Sequence, residues 1–201
     1  MLAELAGLVE QVATTATSWR ILHRLGLAEK QREIAEIERE ARRIQTFQPT
    51  MVPGLLQIAD YARRVIEMSY QPGDVAAAVA ARTERQSVLY DQAKRFEFLV
   101  TEGALRWRPV GMDMRPQHDR LLSIASLPNV AFSVVPHGPG SMPLLHPFVV
   151  FELSAETLVT VETYSAELQV RDAADIERYL EVWERLREGA VGGEEWIRTS
   201  G

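Results

Sequence analysis

At Arg95 the hydrophobic rhythm of the chain changes. Before it, apolar residues recur at steps of three and four. After it, FEFLVTE, VAFSVVP, FVVFELS and LVTVETY are short, β-branched and aromatic, and alternate with period two. A pattern of helical period does not settle as a strand, nor the reverse, so the change constrains the fold strongly. It predicts an α+β fold: a helical N-terminal half, then a small, mostly antiparallel sheet packed with helices.

The helical half is expected to hold several elements. Leu5, Val9, Val12, Ala16, Trp19 and His23 form an a/d-like stripe over 2–25, with Gly26 as a C′ cap. Ile34, Ile37, Ala41 and Ile44 lie on one face of a second helix, 28–45, with Glu38 and Arg42 as a favourable i,i+4 pair on the other. Residues 1–48 thus read as a two-helix arm, either folded on the body or presented as a dimer or partner interface. Residues 49–201 read as the α+β domain. Pro49 and Pro53 form a connector, a helix spans 54–68, and Asp74 caps another over 75–93.

In the second half, MDMRPQHDRLLSIAS has helical spacing, and HGPGSMPLLHP is a loop. Ser154 to Thr157 joins two strands as a hairpin. AELQV adds a strand at an edge. Asp172 caps a helix with Ile176, Tyr179, Leu180, Trp183 and Leu186 inward, and EEWIRTSG forms a last helical turn.

Hydrophobic residues make up 46% of the chain and charged residues 25%, enough for a real core, and the formal net charge is −6. That balance argues against direct nucleic-acid binding, which favours a basic face. The absence of cysteine excludes disulfides, thiol nucleophiles and thiolate metal sites. No apolar run approaches the roughly 18 residues of a spanning helix, and the N-terminus lacks a basic leader, so no membrane partner and a cytoplasmic location are expected.

Several separated motifs resemble one family. These are Ile37, Glu38, Glu40 and Ala41; VPGLLQ at 52–57 followed by Tyr61 to Arg63; Arg82, Arg85, Gln86 and Leu89; and Glu102, Ala104, Leu105 and Arg106. In this order they resemble the C-terminal domain of unknown function of actinobacterial XRE-type helix-turn-helix regulators, described as WhiJ-like or antitoxin-like. The resemblance covers about Trp19 to Trp196. It implies a regulatory module that binds a small acidic partner protein or a small-molecule ligand, here without a DNA-reading domain. The long helices suggest a homodimer.

One departure concerns His118, which stands where the family usually has leucine. With Met114, Leu121 and Ala125 it falls on one inward face, as a core histidine or a ligand contact. His137 and His146 bracket the Gly/Pro loop, and either can exchange protons near neutral pH. The three histidines lack metal-ligand spacing, so neither metal nor cofactor is expected. Glu102, His118, Glu162 and Tyr164 form a possible pocket floor. Trp107, between two arginines, is a candidate anchor. The alternative to a regulatory module is a cofactor-independent small-molecule enzyme, recruited to a biosynthetic pathway, with His118, Glu102 and Tyr164 as acid–base residues.

Overall fold

The computed structural model describes residues 14–18, 26–69, 74–138 and 143–200. The strands are β1 (Thr14–Ser18), β2 (Arg43–Gln48), β3 (Arg95–Thr101), β4 (Val130–Val135), β5 (Phe148–Glu152), β6 (Thr157–Glu162), β7 (Ala166–Val170) and β8 (Val191–Gly192). The α-helices are α1 (Leu27–Glu40), α2 (Ala59–Ser69), α3 (Val75–Arg85), α4 (Glu102–Arg106), α5 (Arg115–Ala125), α6 (Ala173–Glu188) and α7 (Gly193–Ser200). Short 3-10 turns cover Gly54–Leu56 and Gln86–Tyr90.

The fold is α+β, but helices and strands are not divided between the two halves. One sheet runs β1-β7-β6-β5-β2-β3-β4-β8. β2, β3 and β4 are parallel neighbours, and the other pairings are antiparallel. Helical crossovers between β2 and β3 and between β3 and β4 permit the parallel pairs.

Two helical expectations are corrected. Residues 14–18 form a strand on β7 instead of part of a helix over 2–25. TTATS is rich in β-branched residues, which suit a pleated surface. The rest of that expected helix lies outside the described residues. Helix α1 stops at Glu40, and Ala41 turns extended, with φ −66 and ψ 137. RIQTFQ then becomes the central strand β2, so a boundary at residue 48 would divide elements of one sheet. Ile44 fitted a helical step of three after Ala41, but the alternation of 44–47 between two buried faces decided the element.

Smaller corrections follow the same lines. The expected helix 54–68 is a 3-10 turn, then α2, and that over 75–93 is α3 followed by a second 3-10 turn. AELQV lies between β6 and β1, not at an edge. The hairpin after β5 is present, with Glu152 opposite Thr157.

The two sheet faces bury different cores. One joins Phe47, Leu99, Phe148, Val150, Val159 and Val161 to Ile176, Trp183 and Leu186 of α6. Asp172 caps that helix by accepting hydrogen bonds from the Ala174 and Asp175 amides. The opposite face joins Ile44, Phe96, Phe98, Phe132 and Leu158 to residues of the first 3-10 turn, α2, α5 and α7. Gly193 is required where α7 begins, because a Cβ there would overlap the Phe132 ring and lie 2.9 Å from its carbonyl oxygen.

Candidate functional site

The inward stripe of α1 is not wholly apolar. Lys30, Gln31 and Glu38 are buried beside Ile34 and Ile37, and face Arg82 and Arg85 of α3. Below them the sheet presents Thr46 and Gln48 of β2, Thr160 and Glu162 of β6, and Glu167 of β7. Three cations and three carboxylates therefore meet under the two helices.

The 52–58 segment holds this cluster together. Gln57 donates to the Val52 carbonyl at 2.7 Å, and Tyr61 Oη accepts from the Val52 amide at 3.2 Å. Arg82 donates to Gln57 Oε1 at 2.9 Å and to Gln31 Oε1 at 3.1 Å. Gln86 donates to the Gln57 carbonyl at 2.7 Å. From α5, Gln117 accepts from the Ile58 amide at 2.9 Å and donates to the Leu56 carbonyl at 2.8 Å. An irregular segment cannot satisfy its own backbone when buried, so these side chains replace the missing ladder. The residues of the VPGLLQ, YAR and R-x-x-RQ motifs thus meet in space. Gly54 admits the Arg85 guanidinium, whose Nη2 would lie 2.6 Å from a Cβ at that position.

Two cavities flank Gly54 and Gln48. The larger, about 160 Å³, is lined by Lys30, Gln31, Gln57, Arg82 and Glu162, with Leu27, Val65 and Ile66 supplying apolar wall. The smaller, about 100 Å³, holds Glu38, Arg85, Thr160 and Glu167. A wider groove of about 520 Å³ between α1 and α3 is open surface with mixed charges, and of the convergent buried groups only Arg85 reaches it.

The electrostatics are unusual for a core. Lys30 and Glu167, both nearly buried, pair at 2.8 Å. Glu38 and Arg85 lie 3.3 Å apart, with side chains 5% and 8% exposed. Burial pushes the Glu38 carboxyl up to about 7, against the pull of Arg85 and Arg82. Burial and the neighbouring Arg85 bring Arg82 down to about 10. Glu162 is also raised, first by desolvation in the concave wall and then by Glu167. Solvent still reaches this carboxylate, which tempers the effect without changing its sign.

Of the candidate site residues chosen from sequence, only Glu162 lines either cavity. Tyr164 is fully exposed at the turn after β6, so the floor of Glu102, His118, Glu162 and Tyr164 does not assemble. Glu102 opens α4 and accepts from Trp196 Nε1 at 3.2 Å. Trp107 packs edge-on against Tyr61, with ring centroids 5.9 Å apart. His118 is half-buried on α5, and its Nε2 has no hydrogen-bond partner among the described residues. His137 is exposed after β4. His146 packs on Tyr179 at 5.9 Å. Glu38 pairs with Arg85, not with Arg42, which is exposed beyond the end of α1. Among the described residues no group of three His, Asp or Glu side chains is placed to hold a metal.

Lys30, Gln31, Glu38, Arg82 and Arg85 were missed as site residues. Their signal was polar side chains at helical positions in register with an apolar stripe.

Comparison with curated proteins finds no match. Among solved structures, the chain is similar to TrmBL2, an archaeal chromatin protein, with TM-score 0.45 and 11% identity. That alignment covers 95% of this chain and 59% of TrmBL2, so the chain spans about three fifths of that protein's length. It is also similar to NucT from Helicobacter pylori, with TM-score 0.47, 10% identity, and 89% and 98% of the two chains covered. Residues 31–198 match the family described as Domain of unknown function (DUF5753), and the chain belongs to that family.

Proposed function

We propose that this domain handles a small molecule in its larger cavity, using Glu162 as the ligand's proton acceptor and no cofactor. One observation carries the reading. Glu162 is an accessible carboxylate on a cavity wall and makes no hydrogen bond among the described residues, whereas Lys30 and Arg82 beside it are engaged. A cavity of about 150 Å³ accommodates a benzene-sized molecule, so the ligand is small. Its partner group for a carboxylate is an ammonium or a hydroxyl. A raised carboxyl pKa in a cleft suits proton transfer, which favours an acid–base enzyme.

The motif resemblance supports a second role for the same cavity, as the sensor domain of an antitoxin-like regulator. A partner protein and a homodimer remain part of that second reading. Among the described residues no helix is long and apolar enough to cross a membrane.

Ethanolamine and glycerol are suitable probes. A ligand at about ten times its Kd stabilises by about 1.4 kcal/mol, or roughly 3–5 °C in Tm for a chain of this size. We expect such a shift with ethanolamine in the wild type and its loss in Glu162→Gln. No shift with either probe, or an equal shift in the variant, would overturn the assignment. Incubation with a metabolite extract separates the two roles: consumption of a compound that depends on Glu162 marks an enzyme, and binding without consumption marks a sensor.

A further inference from the structure

The smaller cavity carries an observation that the larger one does not explain. Glu38 Oε2, Arg85 Nε and Arg85 Nη1 are buried and have no hydrogen-bond partner among the described residues. Glu38 and Arg85 are more than nine-tenths buried, and both line the cavity. Their 3.3 Å contact is an ion pair by distance, but it is not aligned as a hydrogen bond. Unmet guanidinium nitrogens and an unmet carboxyl oxygen, side by side, are costly in a core. Elsewhere the cluster is well satisfied: Lys30 bonds Glu167 and Glu33, and Arg82 bonds Gln31 and Gln57. The buried unmet atoms of the cluster therefore belong to Glu38 and Arg85.

We infer that the smaller cavity is a carboxylate-binding pocket for a small organic acid, with Arg85 as the cation and Glu38 as donor of a shared proton. A guanidinium presents parallel N–H groups along its Nε/Nη2 and Nη1/Nη2 edges, each of which includes one of the unmet Arg85 nitrogens and matches the two oxygens of a carboxylate. Two carboxyl groups can then share a proton, provided one is taken up on binding. Glu38 is poised for that uptake, being held near neutrality by burial. About 100 Å³ corresponds to the liquid volume of roughly three waters, which suits a carboxylate with one or two further carbon atoms. The pocket is separate from the site at Glu162, although Gly54 and Gln48 belong to the walls of both cavities.

The charged groups facing Glu38 are Arg85 and Arg82 of α3 and, across the cavity, Glu167 of β7 held by Lys30. Glu162 also titrates above its ordinary range nearby. The test must therefore isolate the proton on Glu38.

The experiment is a titration of the full chain with sodium acetate, and separately with acetamide, followed by amide NMR at Gly54 at pH 6 and pH 8. The expected result is saturable acetate binding that weakens about tenfold from pH 6 to pH 8, because ionised Glu38 must regain a proton. Acetamide should bind more weakly at pH 6. Arg85→Lys, which lacks the fork, should lose at least about tenfold in acetate affinity. Glu38→Gln, which keeps a donor without a proton to exchange, should bind acetate with no dependence on pH. If wild-type binding is absent, the unmet atoms are hydrated and the inference fails. Tighter binding of acetamide, or a pH dependence that survives Glu38→Gln, overturns it equally. The wild-type arms decide the matter even if Arg85→Lys does not fold.

Discussion

Replacing Glu38 with glutamine should stabilise the protein at pH 8, although it removes a buried ion pair. The carboxyl titrates at about 7 in the folded chain, against an ordinary value of 4.5. Below pH 4.5 it is protonated whether the chain is folded or not, and imposes no penalty. Between 4.5 and about 7 the unfolded chain releases the proton while the folded chain retains it. Stability therefore falls as pH rises, and the loss is complete once the folded form ionises above about 7. At about 1.4 kcal/mol per pH unit the interval is worth about 3 kcal/mol. Glutamine has the shape of the protonated side chain, so the variant should match wild type near pH 4 and exceed it by about 3 kcal/mol at pH 8. For a chain of this length that is roughly 6–12 °C in Tm. Urea unfolding of both proteins at pH 4, 6 and 8 measures the gap. A variant less stable than wild type at pH 8 would show that the attraction of Arg85 outweighs desolvation, and the reasoning would be refuted. A gap of equal size at pH 4 and pH 8 would refute it as well.

Further perturbations probe the same framework. Gln117→Leu leaves the Ile58 amide and the Leu56 carbonyl without partners, and should cost about 2–5 kcal/mol in urea unfolding. Lys30→Met strands Glu167 in the interior and should cost about 3–5 kcal/mol in urea unfolding at pH 8. Gly54→Ala pushes a methyl group into the Arg85 guanidinium and should cost about 1–3 kcal/mol. In an Arg85→Ala background that cost should nearly vanish, and a double-mutant cycle reads the coupling. His118→Leu removes a buried nitrogen that has no partner, so stability should be unchanged or higher, by up to about 2 kcal/mol. A loss of more than 1 kcal/mol, on the order of one hydrogen bond, would mean that His118 holds a structural contact.

Periodicity and end signals made many elements legible in the sequence. The period-two runs gave β3, β4, β5 and β6, and Asp74 and Asp172 cap their helices. Ile176, Trp183 and Leu186 face the core as their spacing requires and Tyr179 packs on its edge, whereas Leu180, expected on the same face, is exposed. The candidate site was less legible. Glu162 was visible as an acid on a largely apolar strand, and it lines a cavity. Glu102, His118 and Tyr164 looked equally suitable on local grounds, yet they sit on elements that the topology does not bring to that cavity.

Local chemistry along the chain determined helix caps, strand alternation and the Pro-Gly break, because these depend on residues a few positions apart. The pairing of β2 with β5 and β3 is different. So is the burial of Glu38 against Arg85, 47 positions along the chain. A helical stripe carries no mark of what will cover it, and a charged residue in that stripe reads as solvated until a partner from another element is known. Only the packing of α1 and α3 on the sheet turned Lys30, Glu38, Arg82 and Arg85 from surface charges into the walls of two cavities.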